Sequence, residues 1–133
     1  MFEQVLLIGN LGNDPEMKYL PSGKAVTNFS MATSESWTSD GEKHTKTKWW
    51  RVAVFGKSAE ACNNFLKKGS RVLVEGKMTA TPEGNPRVWN DQSGNARASF
   101  EITAEAVKFL SPRGEGGGSD QHSDDSSEDE IPF

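Results

Sequence analysis

Trp49-Trp50-Arg51-Val52-Ala53-Val54-Phe55 decides the fold class of this 133-residue chain. Successive side chains of an extended strand point to opposite faces. One face of this stretch therefore carries Trp50, Val52 and Val54, apolar throughout, and reads as core or subunit interface. The other carries Trp49, Arg51, Ala53 and Phe55, two aromatic rings separated by a guanidinium. That spacing suits a surface on which bases stack while a cation meets the phosphate backbone. Stacking of this kind is worth roughly 1–3 kcal/mol per base and tolerates any sequence.

Working upstream, Asp40-Gly41 is a hairpin signal separating this strand from an alternating one over residues 26–33. Val26, Asn28, Ser30 and Ala32 share one face of that strand; Thr27, Phe29, Met31 and Thr33 share the other. Further upstream, an apolar run over residues 5–8 closes at Gly9 and enters the turn-rich Gly9-Asn10-Leu11-Gly12-Asn13-Asp14-Pro15, and Pro21-Ser22-Gly23 marks a second turn. Downstream, Ser58 reads as the N-cap of a short helix ending near Gly69, with Cys62, Phe65 and Leu66 as its buried face at i, i+3 and i+4. Residues 71–79 and 99–104 return to strand, the latter with Phe100 and Ile102 on one face. Three strand regions, a helix and two more strand regions predict an all-β fold. It is a five-stranded Greek-key barrel of the oligonucleotide/oligosaccharide-binding (OB) type, with one short helix between strands 3 and 4. From Ser111 onward Ser, Gly, Asp and Glu dominate, so a disordered acidic C-terminal tail is expected.

Charge separates these parts. Residues 1–112 hold 14 of the 15 Lys/Arg and 12 of the 19 Asp/Glu, a net of +2. Residues 113–133 hold one Arg and seven acids, a net of −6. The overall −4 thus hides a mildly basic body, and such asymmetry points to a nucleic-acid or partner-binding role. Cys62 is the only cysteine, which excludes an intramolecular disulfide and a cysteine-based zinc site. The apolar run over residues 5–8 is too short for a signal sequence, and no segment approaches the length of a membrane span. A soluble, cytoplasmic protein without contact to a membrane is expected.

Trp37 opens a polar connection over residues 37–43, and Trp89 lies between Arg87 and the turn-rich Asn90-Asp91-Gln92-Ser93-Gly94. Tryptophan in polar loops is hard to explain as core packing. Any one of the four tryptophans alone reads readily as structural; together with the rings flanking Arg51 they favour a binding surface. Lys18, Lys24, Lys43, Lys46, Lys48, Lys57, Lys67, Lys68 and Arg87 are candidate phosphate contacts, weak evidence as charge alone but stronger when interleaved with aromatics. The chain ends in Asp124-Asp125-Ser126-Ser127-Glu128-Asp129-Glu130, followed by Ile131-Pro132-Phe133. A carboxylate and a ring on one terminal residue suit a pocket pairing an aromatic site with a basic side chain. From the tail alone, a solubilising segment with an accidental apolar end reads equally well.

These residues together resemble the bacterial-type single-stranded DNA-binding protein family over residues 1–110 and the extreme C-terminus. The fragments that carry the resemblance are Ile8-Gly9-Asn10-Leu11-Gly12-Asn13-Asp14-Pro15-Glu16, Ala32-Thr33-Ser34-Glu35-Ser36-Trp37, Phe55-Gly56-Lys57-Ser58-Ala59-Glu60, Leu66-Lys67-Lys68-Gly69-Ser70, Val74-Glu75-Gly76, Trp89-Asn90-Asp91-Gln92-Ser93-Gly94 and the acidic end in Ile131-Pro132-Phe133. The resemblance implies that Trp37, Trp49, Phe55 and Trp89 stack bases, and that Arg51, Lys18, Lys57, Lys67 and Lys68 contact single-stranded DNA. It also implies a homotetramer. Its C-terminal tip (Glu128, Asp129, Glu130, Ile131, Pro132 and Phe133) would recruit replication, recombination and repair proteins. Two departures stand out. Trp50 occupies a position where several relatives carry a polar residue, often histidine, near the subunit interface. The linker is short for the family: about 20 residues of Gly/Ser-rich coil span roughly 25 Å.

The chain thus divides into a single-stranded DNA-binding domain over residues 1–110, a flexible linker over 111–123 and a partner-binding tip over 124–133. An enzyme is not expected, and neither is a cofactor or a metal. His44 and His122 form no histidine motif, Gly9-Asn10-Leu11-Gly12 is neither a dinucleotide fingerprint nor a phosphate loop, and the tail acids lack the glycine and closing glutamate of a calcium loop. An adaptor of the same fold that binds protein or RNA is the remaining alternative, because fold alone does not fix function.

Overall fold

The computed structural model describes residues 1–111. Its strands are β1 (Val5–Leu11), β2 (Glu16–Tyr19), β3 (Ala25–Ser39), β4 (Glu42–Phe55), β5 (Arg71–Met78), β6 (Val88–Asn90), β7 (Ala96–Ala98) and β8 (Phe100–Phe109). One helix, α1 (Lys57–Phe65), connects β4 to β5. Five strands close a barrel in the order β1-β5-β8-β4-β3, and β3 returns to β1 through the pairs Asn10↔Ala32 and Leu11↔Met31. Neighbours are antiparallel except β4 and β8, which run parallel. This is the five-stranded OB barrel predicted, with the helix between its third and fourth strands.

The alternation in β4 works as its sequence dictates. Trp50, Val52 and Val54 are buried, while Trp49, Arg51 and Phe55 are exposed. Phe29 and Met31 of β3, Val72 and Val74 of β5 and Ile102 of β8 complete the interior. Each such side chain contributes about 1.5–3 kcal/mol on full burial, which holds the register of every barrel strand against a one-residue slip. The helix turns Ala59 and Cys62 inward, and the buried Thr27 hydroxyl donates to the Ala59 carbonyl at 2.6 Å, fixing α1 against β3.

Three expectations need correction. The helix begins at Lys57 behind an N-cap of Gly56 (φ 78°) that supplies no side-chain hydrogen bond, so Ser58 lies inside the first turn. It ends at Phe65, well before Gly69: Leu66 is already extended, and its N–H donates to the Cys62 carbonyl at 3.0 Å. Because the helical spacing stops there, Leu66 is buried by the outgoing chain while Phe65 stays 70% exposed, its ring 6.2 Å from that of Phe109.

The second correction concerns β3 and β4, which extend far beyond their apolar alternation. Pairing continues without interruption from Val26↔Phe55 to Ser39↔Glu42. The turn is the one Asp40-Gly41 predicted, with both central residues at positive φ (53° and 79°) as a type I′ hairpin requires. Trp37 therefore stands in a strand, not in a connection. Third, β2 adds to the start of β3, and β6 with β7 forms a separate two-stranded hairpin. Strands of three or four residues are too short for their periodicity to be read.

Candidate nucleic-acid interface

The outer face of the barrel is organised by register. Ala32 stands beside Trp49, Arg51 lies between Ser30 and Glu101, Ala53 between Asn28 and Thr103, and Val26 between Lys18 and Phe55. Paired residues share a face, so Trp49, Arg51, Phe55 and Lys18 come together on one surface, as the period-two reading requires. Trp49 is 54% exposed and Phe55 39%, large values for rings on a sheet. Lys57, exposed at the first position of α1, follows two residues after Phe55.

Trp49 is seated by backbone. Its six-membered ring lies so close to Gly12 that a Cβ there would fall 2.3 Å from Cζ3 and 2.8 Å from Cη2. The segment carrying Gly12 is tied on both sides. The Gly12 N–H donates to the Ser30 carbonyl at 2.9 Å, and the Asn13 side-chain oxygen accepts from both the Ser30 N–H and its hydroxyl at 3.1 Å. The Lys68 N–H donates to the Asp14 carboxylate at 2.8 Å, and the Gly69 N–H to the Leu11 carbonyl at 2.9 Å. Lys67 and Lys68 thus belong to a loop bound directly to the platform under Trp49. The sequence showed residues 9–15 only as a turn; that the turn is the seat of an indole depends on contacts between distant segments.

Trp89 reaches the same region from the β6–β7 hairpin. Its indole N–H donates to the Ser99 hydroxyl at 3.2 Å, just before β8. Arg87 grips Glu101 through Nε (3.1 Å) and Nη2, and this carboxylate's hydrogen bond and charge raise the guanidinium's pKa. Both clamps fix the hairpin to the start of β8, next to the Arg51 row. The hairpin turn is built around Asp91, whose Oδ1 accepts from the Ser93 and Asn95 N–H groups at 2.9 Å and whose Oδ2 accepts from Arg97 Nε at 2.9 Å. The Arg97 bond, then the Asn95 N–H, lowers the Asp91 pKa. Neither Glu101 nor Asp91 could be singled out from sequence as a support, since each acquires its role only from its partner.

Trp37 is not brought together with Trp49. It is 44% exposed and pairs with His44 across the β3–β4 ribbon, on the face opposite Trp49 by register. The candidate partner residues Glu128, Asp129, Glu130, Ile131, Pro132 and Phe133, the linker and the expected disorder of the tail lie outside the described residues. Among the described residues no cluster of His, Cys, Asp and Glu could hold a metal ion, and no helix is long and apolar enough to cross a membrane.

Residues 2–110 match the Single-strand binding protein family. Among solved structures, the chain is similar to a Plasmodium falciparum SSB in complex with ssDNA, with 28% sequence identity and a TM-score of 0.66. The similarity covers 82% of this chain and 95% of that one.

Proposed function

The chain belongs to the single-strand binding protein family, a non-enzymatic one, and on that premise we propose that it coats single-stranded DNA without strong sequence preference. The observation that carries this reading is the open face on which Trp49 and Phe55 flank Arg51. Bases stack on the rings, with Trp89 supplying a further ring from its hairpin and Trp37 another from the ribbon. Arg51, Lys18, Lys57, Lys67 and Lys68 meet phosphates. Affinity then falls as salt rises, by about 0.7 in logarithmic slope per neutralised phosphate of a single strand. The similarity to a complex with ssDNA supports DNA as the ligand.

The same reading includes a homotetramer, a cytoplasmic and nucleoid-associated location, and recruitment of replication, recombination and repair proteins by the tip. There Ile131 and Phe133 would anchor in a partner pocket while Glu128, Asp129 and Glu130 steer encounter with a basic surface. Pro132 stiffens the link between the two anchors. Titration with oligothymidine, followed by tryptophan fluorescence and paired with solution mass, tests ligand and assembly together. Strong quenching at low salt is expected; its absence would overturn DNA coating. Repeating the titration with oligouridine separates DNA from RNA preference.

A further inference from the structure

Trp89 is held in the middle of a side-chain ladder. On the outgoing segment Arg87, Trp89 and Asp91 alternate; on the returning one Arg97, Ser99 and Glu101 alternate, and Arg97 stands opposite Trp89 in the β6–β7 hairpin. Alternate residues of an extended chain share a face. Three rungs join the two sets, each two residues further along one segment and two further back on the other. Arg87 donates to Glu101 through Nε at 3.1 Å and through Nη2, the Trp89 indole N–H donates to the Ser99 hydroxyl at 3.2 Å, and Arg97 Nε donates to Asp91 Oδ2 at 2.9 Å. The aromatic rung therefore lies between two ion pairs of opposite orientation.

The foot of this ladder stands on the barrel. Glu101 pairs with Arg51 in the parallel β4–β8 register, and its carbonyl accepts the Thr79 N–H at 2.8 Å. Two guanidiniums thus flank one carboxylate, but their states differ. Arg87 holds Glu101 by a two-point fork, whereas Arg51 makes no ion pair among the described residues. The Glu101 side chain is only 16% exposed. Drawing Arg87 away to a phosphate would leave that largely covered carboxylate unpaired beside a second anion, which is strongly unfavourable. If Arg51 moved across to replace Arg87, one guanidinium would again be free, not two. However the carboxylate is paired, this part of the face offers phosphate one guanidinium.

We propose that Arg87 is a positioning residue and not a phosphate ligand: with Glu101 it locks the ladder that presents the Trp89 ring. Charge alone counts Arg87 among the phosphate contacts beside Arg51, and the ladder separates the two. The inference rests on the proposed function, in which Trp89 stacks a base, and gives Arg87 and Glu101 their part in it. A cation already matched by a carboxylate displaces few counterions from the strand. Arg87 therefore acts on affinity through Trp89 and adds nothing to the salt dependence.

The test titrates the full chain with oligothymidine at several salt concentrations. Arg87→Gln should weaken binding roughly fivefold, the low end of one stacked base, with the salt slope unchanged. Arg51→Gln, by contrast, should lower that slope by about 0.7, one single-strand phosphate's worth. In a Trp89→Ala background Arg87→Gln should have no further effect, because the ring it positions is gone. If Arg87→Gln lowers the slope by about 0.7, or weakens binding as much without Trp89 as with it, the proposal is overturned and Arg87 is a phosphate ligand. Undiminished affinity in Arg87→Gln would overturn it as well. A parent protein that fails to bind oligothymidine at low salt would instead overturn the DNA-coating reading on which the inference rests.

Discussion

The inner and outer halves of the β3–β4 hairpin are one continuous ladder, yet they are held by different physics. In the inner half, Phe29, Met31, Val52 and Val54 are buried and set the register by packing. In the outer half nothing is buried, and the register is carried by the Asp40-Gly41 turn, the hydroxyl pairs and the Trp37–His44 stack. Strand pairing can thus outlast the core by eight or so residues a side when turn geometry and cross-strand pairs cooperate. The inner half builds a stable wall whose outward residues can be spent on binding. The outer half encloses no core, so both its faces are exposed.

Substitutions in the two halves should separate sharply. Phe29→Ala in the inner half is expected to cost about 3–5 kcal/mol in urea unfolding, the range for emptying a buried phenylalanine site. Trp37→Ala in the outer half should cost under about 1 kcal/mol, the size of one exposed cross-strand pair, while weakening long oligothymidine. Comparable losses from both would show that the outer half is part of the folding unit after all.

The barrel interior also sets a pH limit. Burial pushes the Cys62 thiol up to about 11, from its ordinary value of 9.0. Between those values the unfolded chain loses a proton that the folded chain keeps, so stability is full below pH 9 and falls as pH rises toward 11. The size is on the order of 2 kcal/mol. Denaturation curves across that window should flatten when Cys62→Ala is introduced, measured against the parent protein.

Gly12→Ala probes the junction between wall and ligand. The added methyl group collides with the Trp49 ring and not with the core. The expected result is a loss of oligothymidine affinity of about 1–2 kcal/mol, up to one stacked base, with a smaller change in unfolding. A fully retained affinity would mean that the ring's seat is irrelevant to binding. The smallest effect is expected at Asp91. Its lowered pKa means that the turn-closing carboxylate is intact above the ordinary aspartate range and is lost only as pH falls through its lower folded value. Quenching of Trp89 by oligothymidine should therefore hold to more acid pH in the parent than any change attributable to an unpaired aspartate, and Asp91→Asn should weaken it at neutral pH.

Much of the barrel was legible because burial imprints a period on sequence. The alternation at residues 49–55 and 26–33, the Asp40-Gly41 turn and the apolar run over residues 5–8 each report a local rule. What stayed hidden had no local signature. Residues 33–39 and 42–48 look like a polar loop because neither face meets a core. Phe65 looks buried by helical spacing because the sequence does not show the helix stopping at that residue. Of the candidate site, Trp49, Arg51 and Phe55 were recoverable from parity, whereas Lys18 joins it through the pairing of β2 with β3, and Lys67 and Lys68 through a loop-to-loop bond to Asp14.

By itself the sequence determined which side chains face in and which face out along β4, the existence of an aromatic-cationic surface, and the separation of a mildly basic body from an acidic tail. These follow from side-chain chemistry and the two-residue period of an extended chain. The tertiary structure alone decided that Trp49 rests on Gly12, that Arg87 and Glu101 hold the Trp89 hairpin, and that Trp37 faces away from Trp49 beside His44. Each of those depends on register between segments far apart in the chain, which is fixed by the packing of the whole barrel and by no stretch within it.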